Sequence, residues 1–330
     1  MATTTTALPN DEADKRPSES QMAIVLRRFR KHKIAMISIG VLGFFLLLAI
    51  LAPFIAPYPR DAPRIFATTL PPLSVDRDGD FHLLGTDHLG RDYFTRLLYA
   101  SRTSLGTAIF STVIASTIGI VLGMLAGYFG GWVDIAISRT LEVVASFPTL
   151  PILLILSAVA VQNINAIPIP GFLNAFMAWS FAVTERESRI IFMIIVVLAL
   201  LGWTSTCRLM RGMVLSVREN VYIESSRALG ASNARIMARH VFPNALPPMI
   251  VDFTLNVNSF LVAESAISVL GFGIQDPTPT WGNMVNFAQS FMFQHPWMPL
   301  IPTLPILLCS MAVNYIGDGL RDALDPHQRA

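Results

Sequence analysis

The sequence predicts an all-α, polytopic membrane protein with six transmembrane helices, and three observations lead there. Charged residues make up 14% of the 330-residue chain and hydrophobic residues 53%, whereas a soluble domain carries about 25% charged residues. Mean hydropathy is +0.54. Several apolar runs reach the ~20 residues an α-helix needs to cross a bilayer. A single membrane domain therefore fits the length better than two soluble ones. The net charge of +2 is too small to suggest a nucleic-acid partner. The six histidines form no HExxH pattern. Cys207 and Cys309 lie in apolar segments and read as small buried hydrophobes. No metal site and no cofactor bound by this chain are expected.

Residues 1–33 read as a disordered, basic N-terminal tail. Its first 20 residues have little to bury, and Arg27, Arg28, Arg30, Lys31 and Lys33 form a basic cluster. Residues 34–56 are the first transmembrane helix. Their apolar run is longer than the core of a cleavable signal and ends at Pro53 and Pro57. Residues 57–102, polar and rich in Pro and Asp, form a loop. A five-helix core at 103–323 follows, with spans near 103–127, 132–161, 188–215, 246–272 and 299–320. Residues 324–330 are a short tail.

Orientation follows from the flanking basic residues. The cluster at the first span and Arg218, Arg227, Arg235 and Arg239 in the loop 216–246 put both termini and that loop in the cytoplasm. The 57–102 loop is then extracytoplasmic, although it carries Arg60, Arg64, Arg77, Arg91 and Arg96, against the trend.

Two segments stand out before the cytoplasmic loop. Ala115, Gly119, Gly123 and Gly127 recur every four residues in the second span, a stripe that lets another helix approach closely. Between 162 and 188 lies an apolar run, 171–183, too short to span. Phe172, Phe176, Trp179 and Val183 fall at helical spacing there, which predicts an interfacial helix on the outer surface, with a re-entrant segment as the rival.

The loop 216–246 reads as two short helices with a glycine elbow. Gly230 breaks the first, Ser232 or Asn233 caps the second, and Pro243, Pro247 and Pro248 end the second and begin the next span. Small residues at 225, 226 and 228 and basic residues at 227, 235 and 239 suit docking to a partner. An ordinary amphipathic connector on the membrane surface has the same pattern.

Glu224-Ser225-Ser226, then Gly230, then His240-x-Phe242-Pro243 resembles the EAA loop of ABC import permeases, with Ser-Ser where that family prefers Ala-Ala. HLLGTDHLGRDYFTRLLY (82–99), AGYFGGWVD (126–134), ALGAS (228–232), RHVFPNALPP (239–248), SVLGFG (268–273), PTPTWGNM (277–284) and GDGLRDALDP (317–326) resemble the dipeptide, oligopeptide and nickel branch of that family. The resemblance implies a type I ABC importer permease (MetI-like) fold. It implies a non-catalytic subunit that pairs with a homologous permease, two ATPases and an extracytoplasmic binding protein in a prokaryotic plasma membrane. ATP and Mg would sit on the partner ATPases. It also implies ATPase coupling through Glu224, Ser225, Ser226, Arg227, Gly230 and Pro243. None of the three lysines follows a glycine, so the chain lacks the phosphate-binding loop of an ATPase. A peptide substrate is expected, with nickel or oligosaccharides as alternatives.

Ionisable groups within spans usually face a cavity or a partner. Asp252, Asn256 and Ser259 share one face of the fifth span. Glu264 lies further along, turned away from it, and Glu142 lies in the third span. These five are candidate pathway residues, and interhelix hydrogen bonding is the plainer reading of each. An ion-driven secondary transporter is the rival from another class. Such folds often show internal repeats, and none is evident here.

Overall fold

The computed structural model describes residues 21–164 and 168–324; residues 1–20, part of the expected disordered tail, lie outside the described residues. Twelve α-helices are present among them, with one two-stranded antiparallel sheet, β1 (Ser74–Val75) and β2 (Phe81–His82), in the first long loop.

Helix α1 (Gln21–Lys31) occupies part of the segment expected to be disordered. The basic residues share the helix with Val25 and Phe29, and those two pack on Ala35, Ile316, Leu320 and Ala323. The apolar side of α1 therefore has a partner that composition could not reveal. Helix α2 (Lys33–Ile55) is the first span and carries Pro53 in its last turn.

Helix α3 (Tyr93–Phe129) has 37 residues, a length of about 55 Å against a hydrocarbon core of ~30 Å. It begins ten residues before the expected boundary at 103. Residues 93–102, assigned to the loop, are helix because Asp92 caps them: its carboxylate accepts from the Thr95 N–H at 2.7 Å. Arg96 in this stretch is buried in ionic contacts described below.

The third span is broken. Helices α4 (Gly131–Ser146) and α5 (Thr149–Gln162) meet at 88°. Phe147 at the break is extended, at φ −91° and ψ 140°. The residue before a proline avoids the α region, and Pro148 follows Phe147. The span expected near 132–161 is therefore a bent pair of helices.

Helix α6 (Gly171–Phe181) is too short to span and is followed by Ala182 in the left-handed region, φ 52°. Helix α7 (Glu185–Val217) opens with a Thr184–Glu187 capping box. Helices α8 (Val221–Ala228) and α9 (Asn233–Ile236) form the elbow of the 216–246 loop. A π turn, Met237–Val241, then leads directly into α10 (Phe242–Val269). Pro243, Pro247 and Pro248 lie within the first turns of α10 and do not end the preceding helix, as the sequence suggested. The π turn takes up the misfit that a proline imposes on an α-helical ladder. Helices α11 (Trp281–Gln289) and α12 (Trp297–Leu324) complete the fold.

The core is built on α3 and α7, the most extensive helix pair. A Cβ on Gly119 would sit 2.7 Å from the Trp203 carbonyl oxygen, one on Gly123 2.5 Å from that of Cys207, and one on Gly127 2.9 Å from that of Arg211. The small-residue stripe is the contact face for α7. Helices α2 and α10 pack against this pair, and α12 packs on α2 and α10. Five described helices are long and apolar enough to span, and the bent pair α4–α5 makes a sixth span if counted as one.

Candidate functional sites: the elbow, the intramembrane polar groups and the ionic layer

The elbow is held from below and open above. Ile223 of α8 and Ile236 of α9 are fully buried, in one cluster with Tyr128, Met210 and Val214. Burying a side chain of that size stabilises by about 1.5–3 kcal/mol, so these two anchor the elbow to the ends of α3 and α7. Tyr128 donates a hydrogen bond to Asn233 at 2.9 Å, and Arg218 donates to the Gly127 carbonyl at 2.8 Å. The Arg227 guanidinium lies 5.9 Å from the Tyr128 ring centre. Gly230 is at φ 81°, which favours glycine. The Ser232 hydroxyl accepts from the Arg235 N–H at 3.4 Å and so caps α9.

The outward face of the elbow is apolar as well as charged. Leu229 is 88% and Val221 77% exposed, and Glu224, Ser225 and Arg227 are exposed beside them. The Ser225 and Ser226 hydroxyls donate back to the Val221 and Tyr222 carbonyls. They therefore behave as small side chains folded onto their own helix, compatible with the Ala-Ala preference. Pro243 stands in the first turn of α10, just past the π turn. The sequence singled out the charged and small residues and missed Val221 and Leu229. A large apolar residue in a short polar helix was the available signal.

The intramembrane candidates separate into three groups. Asp252 and Asn256 come together with Thr206 of α7: Thr206 donates to Asp252 at 2.6 Å, and Asn256 donates to Asp252 at 2.9 Å and to Thr206 at 3.0 Å. Ser259, on the same face, is exposed and donates to the Leu255 carbonyl. Glu264 is fully buried; Ser104 donates to it at 3.2 Å and Ser268 at 2.8 Å, while Ser104 accepts from the Trp281 N–H. It ties α3, α10 and α11 together and faces no surface of this subunit. Glu142 is exposed on α4 and pairs with Arg139 at 2.6 Å. Thr206 was missed because hydropathy does not reveal which hydroxyl finds a carboxylate on another helix.

At the opposite end of the molecule from the elbow, the arginines of the first loop build an ionic layer. Arg60 pairs with Glu187 at 2.7 Å, and Arg91 and Arg96 each pair with Asp276 at 2.9 Å. Arg64 bridges Asp76 and Asp80 across the hairpin β1–β2. The layer clamps the loop onto the start of α7 and the segment before α11. Asp276 is partly buried, which raises its pKa, but Arg91 and Arg96 outweigh burial and hold it below the usual carboxylate range. Asp76 is lowered to about 2: desolvation pushes up, while the Asp80 and Asp78 N–H groups, Arg64 and His82 more than offset it. These basic residues are thus largely engaged with carboxylates.

Comparison with known proteins identifies the family. Residues 119–330 match the family model described as binding-protein-dependent transport system inner membrane component. Residues 20–72 match the N-terminal TM domain of oligopeptide transport permease C. The chain is 34% identical over 329 residues to the dipeptide transport system permease protein DppC of Alkalihalophilus pseudofirmus, covering 98% of this chain and 97% of that one. It is 36% identical over 306 residues to the glutathione transport system permease protein GsiD of Pectobacterium atrosepticum, covering 91% and 89%. With a family model over residues 119–330 and a relative 34% identical over 98% of the chain, the chain belongs to the binding-protein-dependent ABC importer permeases, as a non-catalytic, multi-pass membrane subunit.

Proposed function

We propose that this permease imports short peptides across a prokaryotic plasma membrane, forming the translocation path with a homologous permease. Of two ATPases holding ATP and Mg, one docks on the α8–α9 elbow at the cytoplasmic face and the other on the homologous permease. A substrate-binding protein docks at the opposite, extracytoplasmic face. The observation that carries the coupling role is the elbow: buried isoleucines fix it to α3 and α7 while Val221, Glu224 and Leu229 stand exposed. Force applied there passes into the two helices at the centre of the core. The peptide assignment rests on similarity to a dipeptide and a glutathione permease. Asp252, Asn256 and Ser259 are the pathway candidates that this reading retains, with Glu142 near the bend.

The test is uptake of labelled dipeptides by the reconstituted complex with its binding protein. ATP-dependent uptake of peptides is expected. Uptake of nickel or oligosaccharides with none of peptides would overturn the substrate, and gradient-driven uptake by this chain without ATPases would overturn the class.

A further inference from the structure

We propose that the groove between α2, α3 and α6 holds a membrane phospholipid, with its phosphate on Arg102 and an acyl chain along the groove. This inference rests on the chain being membrane-embedded and is independent of its substrate. The groove has a volume of about 650 Å³, within the ~300–1,000 Å³ of pockets that hold small ligands. Its walls are apolar: Leu46, Ile50 and Phe54 from α2, Leu105 and Ile109 from α3, and Trp179 from α6. Arg102 is the one charged residue in the lining.

Arg102 caps α6. Its Nε donates to the Ser180 carbonyl at 2.6 Å and one Nη to the Trp179 carbonyl at 3.2 Å. Those contacts satisfy the last turn of a helix and leave the other Nη without a hydrogen-bond partner among the described residues. No described carboxylate pairs with this guanidinium, whereas Arg60, Arg64, Arg91 and Arg96 of the ionic layer all have one.

Depth supports a lipid. The contact is in the last turn of α6, a few residues before Glu187, which pairs with Arg60 in the ionic layer. Arg102 therefore sits near one membrane interface, where headgroup phosphates lie. Helix α6 presents its aromatic side outward: Phe172 and Trp179 are exposed, while Asn174, Met177 and Phe181 face the body. Exposed aromatic rings beside a cation are the pattern of an interfacial belt. A helix of the partner permease is the competing occupant. It would bury the guanidinium uncompensated, or bring a carboxylate to that depth at a substantial insertion cost. A phospholipid brings the phosphate with it and gives the guanidinium a charge-assisted hydrogen bond.

The experiment uses the assembled transporter in nanodiscs with a phosphatidylglycerol carrying a photoreactive acyl chain, and diacylglycerol with the same chain as the uncharged control. Cross-links from phosphatidylglycerol are expected in peptides covering 46–54 and 105–110. They should fall about tenfold with diacylglycerol, in keeping with loss of a charge-assisted hydrogen bond. Arg102→Gln should reduce phosphatidylglycerol labelling to the diacylglycerol level, and Arg102→Lys should restore much of it. Equal labelling by the two probes in the wild type overturns the phosphate assignment, even if a variant fails to assemble. No label in these peptides means that protein fills the groove, which overturns the lipid. Labelling that excess inorganic phosphate abolishes assigns Arg102 to a free anion and likewise overturns it.

Discussion

At Gly230 the demand is on the backbone alone. Its φ is 81°, and a Cβ added there would meet nothing within 4 Å. Any penalty for a side chain is therefore conformational, about 1–2 kcal/mol for an ordinary L-residue in the left-handed region. Asn tolerates that region, and β-branched residues tolerate it poorly. Gly230→Val is expected to cut transport and substrate-stimulated ATP hydrolysis together, several-fold or more, while Gly230→Asn stays near wild type. Both are read in the reconstituted complex, with co-purification of the ATPase reporting assembly. Equal activity in the two variants would mean that the elbow is a passive connector. Asp76 makes a different demand, on charge. Its folded pKa of about 2 is below the ordinary 3.8, so its contribution is fully present above the ordinary value and lost as pH falls through the folded one. The stability difference between wild type and Asp76→Asn should therefore be flat from about pH 8 down to about pH 4, and shrink below that. A thermal-melt series across pH checks it, and a marked change in that difference near neutrality would assign the loop's pH response to another group.

Among the elements, the α3–α7 contact is where sequence pattern and packing coincide. Interiors tolerate little extra volume, and overpacking costs about 1–3 kcal/mol. A Cβ on Gly123 would meet the Cys207 carbonyl at 2.5 Å and the Met210 Cβ at 2.8 Å. Neither side can yield without moving a helix. Gly123→Ala should lower the melting temperature of the purified subunit, and Gly123→Leu should prevent recovery of folded protein. Gly212 also lies in a spanning helix, but a Cβ there meets nothing within 4 Å. Gly212→Ala should be neutral or slightly stabilising, since alanine favours a helix interior by about 1 kcal/mol over glycine. Equal losses at 123 and 212 would show that helix propensity, not close approach, sets the requirement. The stripe was legible because its period is local. The spans were legible for a related reason: crossing lipid imposes a long apolar run. The break in the third span was not, because hydropathy averages over Phe147-Pro148 while the backbone responds to the single proline. The early start of α3 was hidden too. Arg96 reads as a loop residue until Asp276, far along the chain, is brought beside it.

On the scale of the whole molecule, the elbow and the ionic layer stand at opposite ends of α3 and α7, and this separation makes orientation testable with two labels. Asp78 is exposed in the hairpin turn and Leu229 is exposed on the elbow. Ser232 is the poorer choice for labelling because its hydroxyl caps α9. The native thiols Cys207 and Cys309 are fully buried, so they need not be removed before a surface-label experiment. The basic cluster at 27–33 and the arginines of the 216–246 loop predict that the elbow end is cytoplasmic. The arginines of the first loop run against this, and the cluster at the first span, which usually dominates, decides the prediction. A membrane-impermeant maleimide applied to intact cells should label Asp78→Cys and leave Leu229→Cys unmodified. Permeabilised cells should label both, unless the ATPase covers Leu229, in which case labelling should appear when the ATPase is removed. Modification of Leu229→Cys from outside, with Asp78→Cys reached only after permeabilisation, would invert the orientation and place the binding-protein dock on the elbow side.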